Sequence, residues 1–193
     1  MLNRMVYQSA NGQTIKPRPA RLLITTFDTW LPHQRSNAAD DLIQQAIDRQ
    51  DLPPDTLLLR HLPVDNTAAS YPVCDYIQHF QPEVILCCGM AESRSRLNLE
   101  RQATLNGETH QTTLPIDAWC DRLAVTDMSH DAGQFVCNYL YHQVLDSTHT
   151  RHAVFLHVPP LTPANRLDYA QDFAAIVRRI QFDGSQHGED FSI

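Results

Sequence analysis

The chain carries a series of short, uninterrupted apolar runs, and these constrain its fold more than any other feature. They lie at 21–27 (RLLITTF), 56–59, 84–88, 123–126 and 153–158. Short continuous runs, rather than strict alternation, suit strands covered on both faces, as in a parallel sheet. Helical spacing fills the intervals. Ala39, Leu42, Ile43, Ala46 and Ile47 fall on one helical face, with Ser36 offering an N-cap. Ala69, Val73, Tyr76, Ile77 and Phe80 repeat the spacing, and Pro72 is expected within the first turn of that helix. Val136, Tyr139, Leu140 and Val144 mark a third helix, and Ala170, Phe173, Ala174 and Val177 a fourth. Strands alternating with helices predict an α/β sandwich with a mainly parallel sheet.

The 193 residues suit one domain, expected over 21–182, with a polar arm at 1–20 and a frayed tail at 183–193. The segment 104–122 is polar and reads as a loop or a small hairpin. Fifteen basic against 22 acidic residues leave a net charge of −7. That balance offers no clustered cations for nucleic acid and no basic face for a membrane surface. The longest apolar run, 84–88, is far too short to span a bilayer, and the N-terminus lacks the apolar core of a signal peptide. Five cysteines, two of them adjacent and none in a CxxC pair, predict free thiols in a reducing, cytoplasmic setting.

In open α/β sheets, sites gather at the carboxyl ends of strands, which here directs attention to 28–37, 89–100 and the stretch after His157. Cys137 follows a Ser-His-Asp-Ala-Gly turn and opens a helix. Unpaired N–H groups at a helix start stabilise a thiolate and an oxyanion, so Cys137 reads either as a low-pKa nucleophile or as a small core residue. His157 ends an apolar strand before two prolines, a place for a base or for an ordinary hydrogen-bonded histidine. Glu100 and Arg101 alone read as a solvated charge pair; Glu100 becomes an orienting carboxylate only if it meets the other two. Cys87 and Cys88 read as packing. Phe27 and Trp30 either floor an apolar pocket or close the core. His130, His142, His149 and His152 are weaker candidates for chemistry. The spacing of the histidines over 142–152 matches no metal-ligand motif, so no metal site is expected.

Three blocks of residues resemble the pyrrolidone-carboxylate peptidases, or pyroglutamyl peptidase I family. Ser129, Asp131, Ala132, Gly133, Phe135, Val136, Cys137 and Asn138 fit the family's cysteine block. Gly89, Ala91, Arg94, Glu100, Arg101 and Ala103 keep the register of its glutamate block. Leu156, His157, Val158 and Pro159 match its histidine block. Phe27 and Asn37 also fall in register, and the likeness covers about 21–180. The resemblance implies a three-layer α/β/α sandwich and a cytoplasmic cysteine exopeptidase acting on small peptides with a blocked, pyroglutamyl N-terminus. It implies no metal or organic cofactor and, in bacterial members, homotetramers. In that scheme Cys137 is the nucleophile, His157 the general base and Glu100 the residue that orients the imidazole. Phe27, Trp30 and Met90 are the expected substrate contacts.

This chain also departs from the family pattern. The first loop, Thr26 to Pro32, lacks the family's glycines. Glu92 and Ser93 replace a Gly-Gly pair, and the segment from Ala103 to Ser129 is short. These differences bear on the substrate rather than on the three reacting groups. They leave open an amidase of the same chemistry with another pocket, and a non-catalytic binding protein that kept the fold.

Overall fold

The computed structural model describes residues 22–147 and 152–186. The expected arm at 1–20 and His149 lie outside them. The strands are β1 (Leu22–Phe27), β2 (Leu57–Leu62), β3 (Val84–Met90), β4 (Leu97–Glu100), β5 (Gln102–Leu105), β6 (Glu108–Gln111), β7 (Thr126–Ser129) and β8 (His152–Val158). The helices are α1 (Ala38–Asp48), α2 (Asn66–Phe80), α3 (Ile116–Cys120), α4 (Val136–Ser147) and α5 (Arg166–Gln186).

Six strands form the main sheet in the order β2-β1-β3-β8-β4-β7. All neighbours are parallel except β4 and β8. Period-two alternation along each strand divides the core in two. Leu22, Ile24, Leu86, Cys88, Val154 and Leu156 face α1, α3 and α5. Leu23, Ile85, Cys87, Ala153 and Phe155 face α2 and α4. Both faces of the central strands are therefore apolar, which is why they read as unbroken runs.

Several boundaries differ from the sequence expectation, each for a local reason. The N-cap of α1 is Asn37, not Ser36: its Oδ1 accepts from Ala39 N at 3.0 Å. Pro72 lies inside α2 rather than in its first turn. The helix begins earlier than the apolar spacing suggests, because Asp65 caps it by accepting from Thr67 N and Ala68 N. The strand expected at 123–126 starts only at Thr126, since Ala124 N and Val125 N donate to the Asp172 carboxylate on α5. The polar segment after Glu100 contains a hairpin, β5–β6, turned by Asn106 (φ 53°) and Gly107 (φ 86°). Positive φ at both turn residues is the geometry that a two-residue Asn-Gly hairpin loop adopts. After it comes α3, which the sequence reading did not assign. Helix α5 runs on to Gln186, so the first residues of the expected tail are helical; residues 187–193 lie outside the description.

Strand β4 was also not foreseen. Its four residues, LNLE, alternate apolar and polar, too briefly to stand out as a strand. Leu97 and Leu99 enter the α5-side core. The pleat then sends Asn98 and Glu100 to the opposite face, the one that α4 covers.

Candidate active site

The carboxyl ends of β1, β3 and β8 and the start of α4 enclose a cavity of about 700 Å³. Cys137 and His157 both line it, as do Phe27, Trp30 and Met90. Glu100 is not in the lining. It sits behind His157, fully buried, and its Oε1 lies 2.7 Å from His157 Nδ1. The solvated Glu100–Arg101 pair therefore does not form: Arg101 instead pairs with Asp117 on α3.

Why these two side chains meet follows from register. Ala153, Phe155 and His157 project from one face of β8, and Glu100 projects from that same face of the adjoining β4. Asn98 pairs with His157 and Glu100 with Phe155 across the antiparallel ladder. Tyr141 Oη on α4 donates to the Glu100 carbonyl at 2.9 Å, which fixes the strand beneath the helix. The Nδ1 contact leaves Nε2 as the ring nitrogen available for other chemistry.

Cys137 is the second residue of α4. Tyr139 N donates to the Phe135 carbonyl at 3.1 Å, so the helix begins directly before the cysteine. The sulfur rests against β3 at Gly89. A Cβ on that glycine would stand 2.9 Å from Cys137 Sγ and 2.9 Å from the Phe155 ring, which no real Cβ tolerates. Only glycine lets the sulfur approach so closely. Gly89 is also the register partner of His157 on the neighbouring strand, so sulfur and imidazole sit over adjacent strands at the same level of the sheet.

The thiol's acidity differs from the expectation. Burial pushes the Cys137 thiol up to about 12, and the nearby Cys87 and Glu100 add to the rise. The cysteine's own backbone N–H works the other way and is outweighed. A helix start is present, but removal from water is the larger effect on the free thiol. Burial likewise raises Cys87 to about 12, and it holds Cys88 well above the ordinary thiol range in the opposite core. Both are fully buried, in keeping with their reading as packing.

Phe27 is buried against Phe155, with ring centroids 6.5 Å apart, and Phe155 lies 4.7 Å from the His157 ring. Trp30 does not close the core. It is 53% exposed and pairs at the mouth with Phe135, itself 50% exposed, at a centroid distance of 5.0 Å. Met90 Sδ accepts from Ala38 N at 3.4 Å, linking the cavity wall to the start of α1.

Two residues given no role from sequence hold the rim. Arg94 donates to the Asp131 carbonyl at 2.8 Å and lies 3.5 Å from Glu100 Oε1. It thereby joins the loop after β3 to the loop before Cys137. Glu92 receives Gln34 Nε2 at 3.1 Å and His33 Nε2 at 2.9 Å. Gln34 in turn accepts from Trp30 N and Leu31 N. The hydrogen bonds from Gln34 and His33 hold the Glu92 carboxyl below its ordinary range. The glutamate that interrupts the family's Gly-Gly pair is thus a tie between the first and middle loops. Arg94 kept the family register, which was the one signal for it; nothing local marked Glu92. His130 is exposed, and His152 Nδ1 lies 2.6 Å from Thr113 Oγ1, away from the cavity.

No family model matches the chain. Two curated relatives are pyrrolidone-carboxylate peptidases. The one from Vibrio vulnificus is 27% identical over 169 residues, spanning 73% of this chain and 79% of the relative. The one from Bacillus subtilis is 29% identical over 153 residues, spanning 59% and 69%. Among solved structures, the pyrrolidone carboxyl peptidase from Thermococcus litoralis superposes with a TM-score of 0.73 at 19% identity, covering 90% of this chain and 99% of that one. Pyroglutamyl peptidase I from Bacillus amyloliquefaciens gives 0.66 at 18% identity, covering 83% and 95%. The solved structures share the fold, and the sequence relatives span most of their own length with this chain. The chain is thus similar in sequence to pyrrolidone-carboxylate peptidases and shares their fold.

Proposed function

We propose that this chain is a cysteine peptidase that removes an N-terminal pyroglutamyl residue from small peptides, with Cys137, His157 and Glu100 as its reacting set. The observation that carries the reading is the 2.7 Å contact between Glu100 Oε1 and His157 Nδ1, behind a cavity that Cys137 and His157 both line. The names of the sequence relatives supply the substrate class.

In this reading the Glu100 carboxylate accepts a hydrogen bond from Nδ1–H, and His157 Nε2 takes the proton of the Cys137 thiol, becoming an imidazolium, as the sulfur attacks the pyroglutamyl carbonyl. A thiol raised to about 12 is not a stored thiolate in the free protein. The proton therefore leaves when substrate arrives, and the base is essential to attack. The C–N bond of the tetrahedral adduct breaks, and the imidazolium protonates the leaving amine. The acyl thioester then yields to water, activated by the same imidazole. Backbone N–H groups at the start of α4 supply dipoles to the developing oxyanion. Phe27 and Met90 contribute apolar wall to the acyl group, while the Trp30–Phe135 pair borders the peptide's exit.

The test is hydrolysis of a fluorogenic pyroglutamyl amide by the purified chain. Wild type cleaves it, and Cys137→Ala and His157→Ala abolish cleavage. One observation favours a second reading, an amidase of the same chemistry for a different acyl group: the aromatic pair and the Glu92 tie reshape the mouth. A chain inert to the pyroglutamyl amide but active on another N-acyl amide, with the same dependence on Cys137, supports that reading instead. Absence of any amide cleavage removes both.

A further inference from the structure

We infer that the hairpin β5–β6 and helix α4 together form a binding site for a zinc-class divalent transition ion, with Glu108, His110 and His142 as ligands. One ligand atom from each of the three lies within 4.8 Å of the others. Glu108 and His110 stand two residues apart on β6 and so project from one face of the hairpin. His142 reaches them from α4, and its ring meets that of His110 edge-on at a centroid distance of 4.4 Å.

The independent observation is the state of His142. Its side chain is 5% exposed, yet neither ring nitrogen has a hydrogen-bond partner among the described residues. An imidazole always carries at least one N–H, and a buried donor or acceptor left unpaired is costly enough to be rare. His110 Nε2 is similarly buried and unbonded: its nearest carboxylate oxygens, on Glu108 and Asp146, stand at 3.5 and 3.8 Å. Two imidazoles turned toward one another and flanked by carboxylates are poorly satisfied as a hydrogen-bonded group. They are well satisfied as ligands to a cation.

The donor set selects the ion. Two imidazoles and a carboxylate suit zinc and its neighbours, whereas calcium and magnesium require oxygen shells. Asp146 follows His142 by one helical turn on α4, and its carboxylate stands 3.8 Å from His110 Nε2. The three protein ligands leave a fourth position on the ion to water. Bound there, the ion ties the hairpin to the helix that begins at Cys137. Asn138 also joins the two, its side chain exchanging hydrogen bonds with the backbone of Thr104 at 3.1 and 2.8 Å. The ligands come from two segments far apart in sequence, which is why no spacing motif revealed them.

The experiment uses the full chain, stripped with a chelator and titrated with zinc chloride by calorimetry and with cobalt chloride by visible absorption. Wild type and Cys137→Ala each bind one equivalent of zinc and raise their melting midpoint with it. Cobalt shows ligand-field bands without a thiolate charge-transfer band. Glu108→Gln and His110→Ala, chosen because they spare the buried His142, keep the wild-type circular dichroism and lose at least tenfold in zinc affinity. The inference is overturned if wild type shows no saturable zinc binding, if these two variants bind as tightly as wild type, or if Cys137→Ala abolishes the binding.

Discussion

At Cys137 two influences oppose one another. The helix start favours a charged sulfur, while burial and the neighbouring Cys87 and Glu100 disfavour it, and the second group dominates. A consequence is measurable in the free protein. Alkylation of Cys137 by iodoacetamide should climb with pH through neutrality up to pH 9, without a plateau; a plateau below pH 7 would reveal a preformed thiolate–imidazolium pair and defeat the prediction. In the proposed mechanism Glu100 acts through the imidazole, so Glu100→Gln should lower kcat by about 10²–10⁴-fold with little change in KM. The pH profile should change with it, a readout that simple destabilisation would not move. Gly89 is the third residue with a sharp expectation. Gly89→Ala drives a methyl into Cys137 Sγ and the Phe155 ring at 2.9 Å. It should cost about 1–3 kcal/mol in denaturant unfolding, as overpacking does, and should suppress amide hydrolysis beyond that loss.

The elements were legible to differing degrees, and the reasons are physical. Strands β1, β3 and β8 stand out because they are apolar on both faces. Strand β4 does not, because half of its four residues are polar and face the site rather than a core. The start of α1 differs from expectation because Asn37 rather than Ser36 caps it, one residue later, and α2 begins ahead of its apolar spacing because Asp65 caps it. The proposed triad could be named only through motif order, since nothing local distinguishes Glu100 from a surface glutamate. One element carries its own electrostatic prediction. Asp40 on α1 is buried, which works against its charge, but hydrogen bonds from Arg60, at 2.7 Å to each carboxylate oxygen, and from Thr26 prevail. Its carboxyl is held below the ordinary 3.8. The stabilisation is complete above that unfolded-state value and is lost as pH falls through the lower folded one. Asp40→Asn should therefore remove about 1.5–3 kcal/mol at pH 7, by replacing the charge-assisted pair with Arg60 by a neutral contact, and should flatten the acid limb of a stability–pH curve.

Across the whole molecule, the sheet separates two apolar cores, and adjacent cysteines report on both. Cys87 belongs to the α2–α4 side and Cys88 to the α1–α5 side, each fully buried. Neither should react with a thiol reagent until the sheet comes apart. Cys74, Cys120 and Cys137 are partly exposed and should react earlier, through local openings. Reactivity followed against denaturant should show Cys87 and Cys88 becoming accessible together at the global transition. Early release of one alone would mean that the two layers unfold separately. No helix among the described residues is long and apolar enough to cross a membrane.

The antiparallel seam between β4 and β8 constrains how this chain can drift. Because alternate residues of β4 point to opposite sides, a deletion or insertion of a single codon between Leu97 and Glu100 would swing the carboxylate toward α5 and leave His157 without its anchor. The same length change a few positions earlier, among 91–95, would be absorbed by the connecting turn. Descendants of this sequence should therefore vary in length on one side of Leu97 and hold it rigidly on the other.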